Sequence, residues 1–298
     1  MYTLGIDIGG TNLRIGLVEK SYNLLHLEKQ SVKALASKDA CNALAETIKD
    51  YLKRHSAENK VRRICIGFPA TVDKKGETVL GAPNLIGFDG VNVKERLSKA
   101  LPYPVNVEKD VNLLIKCDLW RKHSSARDIV ACYVGTGLGN AIMLDGVLHR
   151  GFSGVAGELG HIPFGDTTHP CGCGNEGCAE PLVAGKYLAH LCETVFTDTH
   201  ISELFTKHSD DQIIKEYIDR LARVIASEVN ILDPELLILG GGVINMQDFP
   251  KELLCDKIKA YVRKPLPCDA LKIAFSDGAD SCGVIGAGIC AWEKEENV

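Results

Sequence analysis

The sequence has no apolar run approaching the roughly 20 residues of a membrane-spanning helix. Nor does it open on a basic segment with a cleavage site, because Met1 leads straight into YTLGIDIGG. These absences predict a cytoplasmic chain with no membrane partner. A block of one charge sign is also missing: 34 Lys and Arg are interspersed with 39 Asp and Glu, for a formal charge of -5. Without a broad basic field, nucleic acid is a poor partner and a small molecule is favoured. No low-complexity linker divides the chain.

What is present is ordinary globular composition, 45% hydrophobic and 24% charged over 298 residues. That length exceeds what one core usually serves, so two domains are expected. Twelve cysteines raise the question of disulfides. Nine of them, including Cys41, Cys65, Cys117 and Cys290, stand singly among apolar residues and read as small buried hydrophobes in a reducing compartment. The other three, Cys171, Cys173 and Cys178, fall within eight residues and need a separate account.

Hydrophobic alternation predicts strands over 2–8 and 13–18, joined by a Gly9-Gly10-Thr11 turn, and a third strand near 24–32. Leu44, Ile48, Tyr51 and Leu52 share one helical face. RRICIGFPA and VNVEKD read as strands, the second followed by a helix beginning behind Asp110 as N-cap. DIVACYVGTGLGNAIMLDG is again strand, Gly/Thr turn, strand, so the chain repeats itself. Further on come a helix over 221–231, a buried strand at 236–242, a helix near 250–263, a strand at 271–275, and a glycine-containing helix in SCGVIGAGICAW. The repeat places the division near residue 115. It implies an N-terminal α/β domain of residues 1–115 completed by the last helix, 281–298, and a larger α/β domain of 116–280.

Each Gly/Thr turn offers unobstructed backbone N–H groups and a hydroxyl to an anion. One such turn is as well explained as a tight hairpin. Two in matching positions suit a nucleotide held between related domains, with Asp7 placed to hold a hydrated Mg²⁺. Asp7-x-Gly9-Gly10-Thr11-x-x-Arg14, with Asn12 in the same turn, and Gly135-Thr136-Gly137-Leu138-Gly139 resemble the phosphate loops of the actin-like ATPase superfamily. Gly240-Gly241-Gly242 resembles the segment that superfamily places against the adenosine of ATP. The implied fold is a two-domain, ribonuclease H-like α/β architecture with an interdomain active-site cleft.

Cys171, Cys173 and Cys178 supply three thiolates in one glycine-rich loop, with His161 ten residues earlier, and Cys₃His is a standard tetrahedral zinc set. A redox pair would use CxxC and leave no third cysteine over. His169, two residues before Cys171, is a rival fourth ligand. The run GELGHIPFGDTTHPCGCGNEGCAE resembles the signature of the ROK kinases, in which the ExGH histidine and the three cysteines hold a structural zinc, here His161, Cys171, Cys173 and Cys178 in a loop spanning 161–178. The same resemblance implies that Glu158, His161 and Glu180 contact sugar hydroxyls, that Asn84 reaches the middle of the ring, that Asn112 lies nearby, and that Asp110 is the catalytic base. At an ordinary pKa of about 3.9 such a base is already ionised and needs no tuning. ATP, Mg²⁺, Zn²⁺, a hexose and a homodimer are the implied cofactors and partners.

One departure stands out. The family's glucokinases and N-acetylmannosamine kinases usually carry Asn-Asp where this chain has Lys109-Asp110. A basic residue there, with GFPATV, PNL, HIPFGDTTH and ILDPELLILGGGVINMQDFP, resembles the D-allose kinases. The sequence therefore implies transfer of the ATP γ-phosphate to the C6 hydroxyl of a hexose, D-allose first, with a glucokinase or N-acetylmannosamine kinase as the alternative. A ROK-type sugar-responsive repressor is disfavoured, since the first strand begins at once with no room for a helix-turn-helix.

Overall fold

β1 (Tyr2–Ile8), buried along most of its length, forms the axis of the first sheet. β1 turns tightly into β2 (Asn12–Val18), and β3 (Leu24–Ser31) extends the antiparallel ribbon. The computed structural model describes residues 1–36, 39–82, 85–165 and 168–296. After α1 (Ala40–Arg54) the chain adds β4 (Val61–Phe68) parallel to β1, then a small antiparallel sheet of β5 (Thr71–Val72), β6 (Thr78–Gly81) and β7 (Val91–Asn92). α2 (Val93–Ala100), β8 (Val105–Lys109) and α3 (Asp110–Arg121) follow, and β8 pairs parallel with β4. The main sheet thus runs β3-β2-β1-β4-β8. α1 buries Leu44, Ile48, Tyr51 and Leu52, the face its periodicity specifies.

The second sheet repeats this plan. β9 (Ile129–Val134) turns into β10 (Leu138–Leu144) and the short β11 (Val147–Leu148). α4 (Glu180–Val183), α5 (Gly185–Thr194), α6 (Leu204–His208) and the long α7 (Gln212–Leu232) precede β12 (Leu236–Gly240), and α8 (Lys251–Tyr261) leads to β13 (Lys272–Phe275). The order is β11-β10-β9-β12-β13, again an antiparallel ribbon followed by two parallel pairings. The repeat read from the sequence is therefore a duplicated sheet. α7 begins nine residues before the expected 221, because Ile214, Tyr217 and Ile218 continue the buried stripe of Leu221 and Ile225 toward the N-terminus.

Two compact units result: residues 1–124, 150–156 and 279–298 form one, and residues 125–149 and 157–278 the other. The expected division at 115 falls inside α3, and the first unit runs on to Ser124. The first unit also takes in residues 150–156, where Gly154 fits against the backbone of Val72, Asp73 and Lys74. The last helix, α9 (Cys282–Glu296), belongs to the first unit and packs on β1, β2, β4 and α3. Its seat depends on missing side chains, since a Cβ at Gly286 would stand 1.9 Å from the Leu113 carbonyl oxygen. Among the described residues no helix is long and apolar enough to cross a membrane.

Candidate active site

In the first unit the β1–β2 hairpin places Asp7 directly opposite Arg14. Arg14 Nη1 lies 3.5 Å from Asp7 Oδ2, and Arg14 Nη2 donates to Asp280 Oδ1 at 2.8 Å. Burial raises the Asp7 pKa; Arg14 opposes that shift and the Asp280 charge adds to it. The turn is closed by Gly9 N donating to Asn12 O at 2.8 Å, while Gly10 and Thr11 are exposed with open space around Gly10. An anion can reach that backbone. The sequence reading gave Asp280 no role and took Arg14 only as part of the first phosphate-loop motif, whereas the hairpin register pairs Arg14 with Asp7.

At the end of β8, Asp110 is the first residue of α3 rather than its N-cap; Lys109 holds the cap position and makes no side-chain cap bond. Asp110 Oδ1 instead accepts from Val111 N at 2.8 Å. Its pKa is pushed up to about 7, first by burial and then by the negative charge of Asp7, against the Val111 N–H and Lys109, which lower it. The expectation of an untuned carboxylate is corrected, since the desolvation responsible comes from packing and not from the local sequence.

The neighbouring Glu108 collects donors from several directions. It accepts Asn112 Nδ2 at 2.8 Å, Lys109 N at 3.1 Å and Arg150 Nε at 3.1 Å, and Arg150 Nη2 closes a second, shorter bond. Asn112 is thus buried and engaged with Glu108. Lys109 is buried too, with Nζ 3.5 Å from Ala156 O. Arg150 and Ala156 belong to the 150–156 segment, so this segment is fastened beside Asp110 by Glu108 and Lys109. Asn84 lies outside the described residues.

In the second unit the turn between β9 and β10 is closed by Gly135 N donating to Gly137 O at 2.9 Å, and Thr136 is exposed. The first N–H groups of α5, those of Gly185 and Lys186, donate to the Gly135 and Thr136 carbonyls at 2.8 and 3.2 Å. Gly139 lies beyond the turn, opposite Tyr133 in the ladder. At the end of β12, Gly240 and Gly241 press against Tyr133 and Val134 and Gly241 has φ +95°, so two of the three glycines are required by packing. Gly242 faces open space.

The ExGH and cysteine segments come together in the same unit. Glu158 precedes a 3₁₀ turn, Leu159–His161, and Glu158 O accepts from His161 N at 2.9 Å. His161 Nδ1 stands 3.4 Å from Cys171 Sγ, and Cys173 Sγ 3.7 Å from Cys178 Sγ. The ligand atoms of His161, Cys171, Cys173 and Cys178 all lie within 4.8 Å of one another, and His169 is not part of the set. A tetrahedral ion with bonds of about 2.3 Å to sulfur and 2.0 Å to nitrogen requires edges of about 3.8 Å between sulfurs and 3.5 Å between sulfur and nitrogen. The two measured spacings are close to these edges. His161 Nε2 points the other way, 3.7 Å from Glu158 Oε2. Two residues past Cys178, Glu180 Oε2 accepts from Leu138 N at 2.9 Å.

Residues 3–294 match the ROK family. The chain belongs to the ROK family. It is 26% identical to a glucokinase of Thermotoga maritima over 306 aligned positions, covering 95% of each chain. To an N-acetyl-D-glucosamine kinase of Pectobacterium carotovorum it is 25% identical, covering 96% of this chain and 97% of the other. The crystal structure of a ROK family glucokinase from Streptomyces griseus in complex with glucose and AMPPNP superposes with a TM-score of 0.77 at 26% identity, over 98% of this chain and 100% of that one. The fold of this ROK chain is the mixed α/β, two-domain actin-like ATPase type.

Proposed function

We propose that the protein is an ATP-dependent sugar kinase that transfers the γ-phosphate to the C6 hydroxyl of a hexose, D-allose in first place. The observation that carries the reading is Asp110. It is a half-buried, desolvated carboxylate close enough to Asp7 to feel its charge, and its pKa of about 7 matches the working pH of a general base. In the proposed step the C6 oxygen bonds to phosphorus, the bond from phosphorus to the ADP oxygen breaks, and Asp110 takes the hydroxyl proton. Gly9 to Asn12 and Gly135 to Gly137, with Gly139 behind the second turn, would hold the phosphates, and Gly240 to Gly242 the adenosine. Asn84, Glu158, His161 and Glu180 would hold the sugar hydroxyls, with Asn112 supporting them through Glu108.

Asp7 and Asp110 are both raised by burial, and Asp7's charge raises Asp110 further, which fits a place for a cation. Mg²⁺ bound with ATP would neutralise phosphate charge there. Zinc would be held by His161, Cys171, Cys173 and Cys178, four protein ligands that leave no open position, so its contribution is to fix the loop. The His161 geometry supports a double duty: Nδ1 faces the thiols and Nε2 is left toward Glu158 and the sugar.

D-Allose is favoured by Lys109 and by the resemblance of the surrounding segments. Glucose is the second reading, favoured by the names of the relatives. Initial rates with allose, glucose, mannose, N-acetylglucosamine and N-acetylmannosamine decide between them. The highest kcat/KM is expected for allose. A higher value for any other sugar defeats that choice, and no ATP-dependent phosphorylation of any hexose defeats the kinase reading.

A further inference from the structure

Among the described residues of the second unit the buried polar side chains are Asn140, Glu228 and Ser276, and Glu228 alone of these is a carboxylate. Glu228, near the C-terminal end of α7, is 6% exposed, and no Lys or Arg pairs with it among the described residues. Its Oε2 accepts Asn140 Nδ2 at 2.8 Å and lies 3.8 Å from Cys132 Sγ. Asn140, in β10, is 1% exposed and donates also to Ala131 O at 3.2 Å. A carboxylate in such a place is costly, and a well-packed apolar side chain would serve the core at least as well. Packing alone does not account for it.

The other end of Asn140 identifies a use. Its Oδ1 has no hydrogen-bond partner and is packed against Gly157: a Cβ built there would stand 2.7 Å from that oxygen and 2.8 Å from the Asn140 carbonyl oxygen. Gly157 has φ +82°, a conformation few other residues adopt, so the backbone is shaped around the Asn140 amide. The next residue is Glu158, and the 3₁₀ turn ending at His161 packs on β10 and α7, the two elements that carry Asn140 and Glu228. We propose that Asn140 and Glu228 are a buried positioning pair: Glu228 fixes the Asn140 amide, Asn140 fixes Gly157, and Gly157 sets where Glu158 and His161 meet the hexose. The last link rests on the hexose reading above.

The pair is tested in the full-length, metal-loaded protein with Glu228→Leu, Asn140→Ala and the conservative Glu228→Gln, whose side-chain carbonyl still accepts from Asn140. Glu228→Leu and Asn140→Ala are expected to raise the hexose KM about tenfold, with ATP KM and kcat near wild type, as for a lost placement rather than a lost reacting group. Glu228→Gln is expected to restore the wild-type hexose KM. Unchanged hexose KM in either truncated variant, or hexose and ATP KM rising together, overturns the proposal. If Glu228→Leu does not fold, Asn140→Ala and Glu228→Gln carry the same comparison. Amide hydrogen exchange over residues 157–161, which needs no turnover, should accelerate in Asn140→Ala and not in Glu228→Gln. Exchange unchanged in Asn140→Ala sinks the positioning, whereas accelerated exchange in a protein that phosphorylates no hexose sinks only the hexose reading.

Discussion

Glu180 Oε2 accepts the Leu138 amide hydrogen at 2.9 Å, which anchors the carboxylate after the cysteine loop to the first residue beyond the second glycine turn. The contact is close on two sides. A Cβ on Gly137 would lie 2.5 Å from the same oxygen, and one on Gly160 would lie 3.2 Å from Glu180 Cβ. One side chain therefore ties the turn, the ExGH segment and the cysteine loop together.

From this it follows that Glu180→Ala frees the Leu138 amide and, on the proposed function, loosens both substrate subsites. The expected outcome is a higher KM for ATP as well as for hexose, with kcat/KM down about a hundredfold. Glu180→Gln keeps an acceptor for Leu138 and should restore ATP KM but not hexose KM. Steady-state kinetics with each substrate varied in turn checks this; a variant disturbed only in hexose KM would mean that the Leu138 bond carries nothing.

As the proposed base, Asp110 would link catalysis to stability. Its folded-state pKa of about 7 exceeds the unfolded value near 3.9, so between those pH values the folded chain holds an extra proton and stability falls as pH rises. Above about 7 the desolvated carboxylate is ionised and its full cost is present. Asp110→Asn removes that cost. Its Tm is expected to exceed that of wild type by a few degrees at about pH 8 and to match it near pH 4, while kcat drops about 10²- to 10⁴-fold. Calorimetry at the two pH values and an ADP-release assay measure both. Equal Tm at the higher pH would remove the burial argument, and near-normal turnover would remove Asp110 as base.

What the sequence made legible was local. Gly9 to Thr11 and Gly135 to Gly137 stand between alternating apolar runs, so both hairpins and their duplication could be read directly. Cys171, Cys173, Cys178 and His161 are close in sequence as well as in space. Glu108 and Arg150 meet from positions 42 residues apart, and nothing local in either segment announces that bond. Asp110 illustrates the same limit: its place at a strand end was readable, but its raised pKa comes from burial and from Asp7, more than a hundred residues away in the chain. The helical face of α9 was readable from its glycines, whereas the strap of residues 150–156 was not, because its docking depends on Gly154 meeting the backbone of Val72 to Lys74.

The Cys₃His cluster should hold one zinc per chain by elemental analysis. Cys173 is the exposed member of the set, so Cys173→Ser removes a ligand without opening the core. Loss of the metal, a lower Tm and weaker hexose binding by calorimetry are expected together, because a structural zinc stabilises the loop that carries Glu180. Retention of zinc and of hexose affinity would overturn the ligand assignment.

Two glycines of α9 separate stability from turnover. A Cβ at Gly286 would meet the Leu113 carbonyl oxygen at 1.9 Å, a backbone atom that cannot step aside, so Gly286→Ala must lift α9 from α3. Overpacking of this kind costs about 1–3 kcal/mol, and a lower Tm with KM values close to wild type is expected. At Gly283 the same methyl would stand 2.4 Å from Asp7 Cγ and 2.8 Å from Asp7 Cβ, a milder clash that a small shift of the backbone and rotation of the carboxylate relieve at the expense of its contact with Arg14. Gly283→Ala should therefore cost less stability than Gly286→Ala and more activity, raising the KM for MgATP because Asp7 is displaced from the turn. Thermal melts and MgATP titrations of the two variants side by side check this, and the reverse ranking would show that Asp7 plays no part in holding the nucleotide.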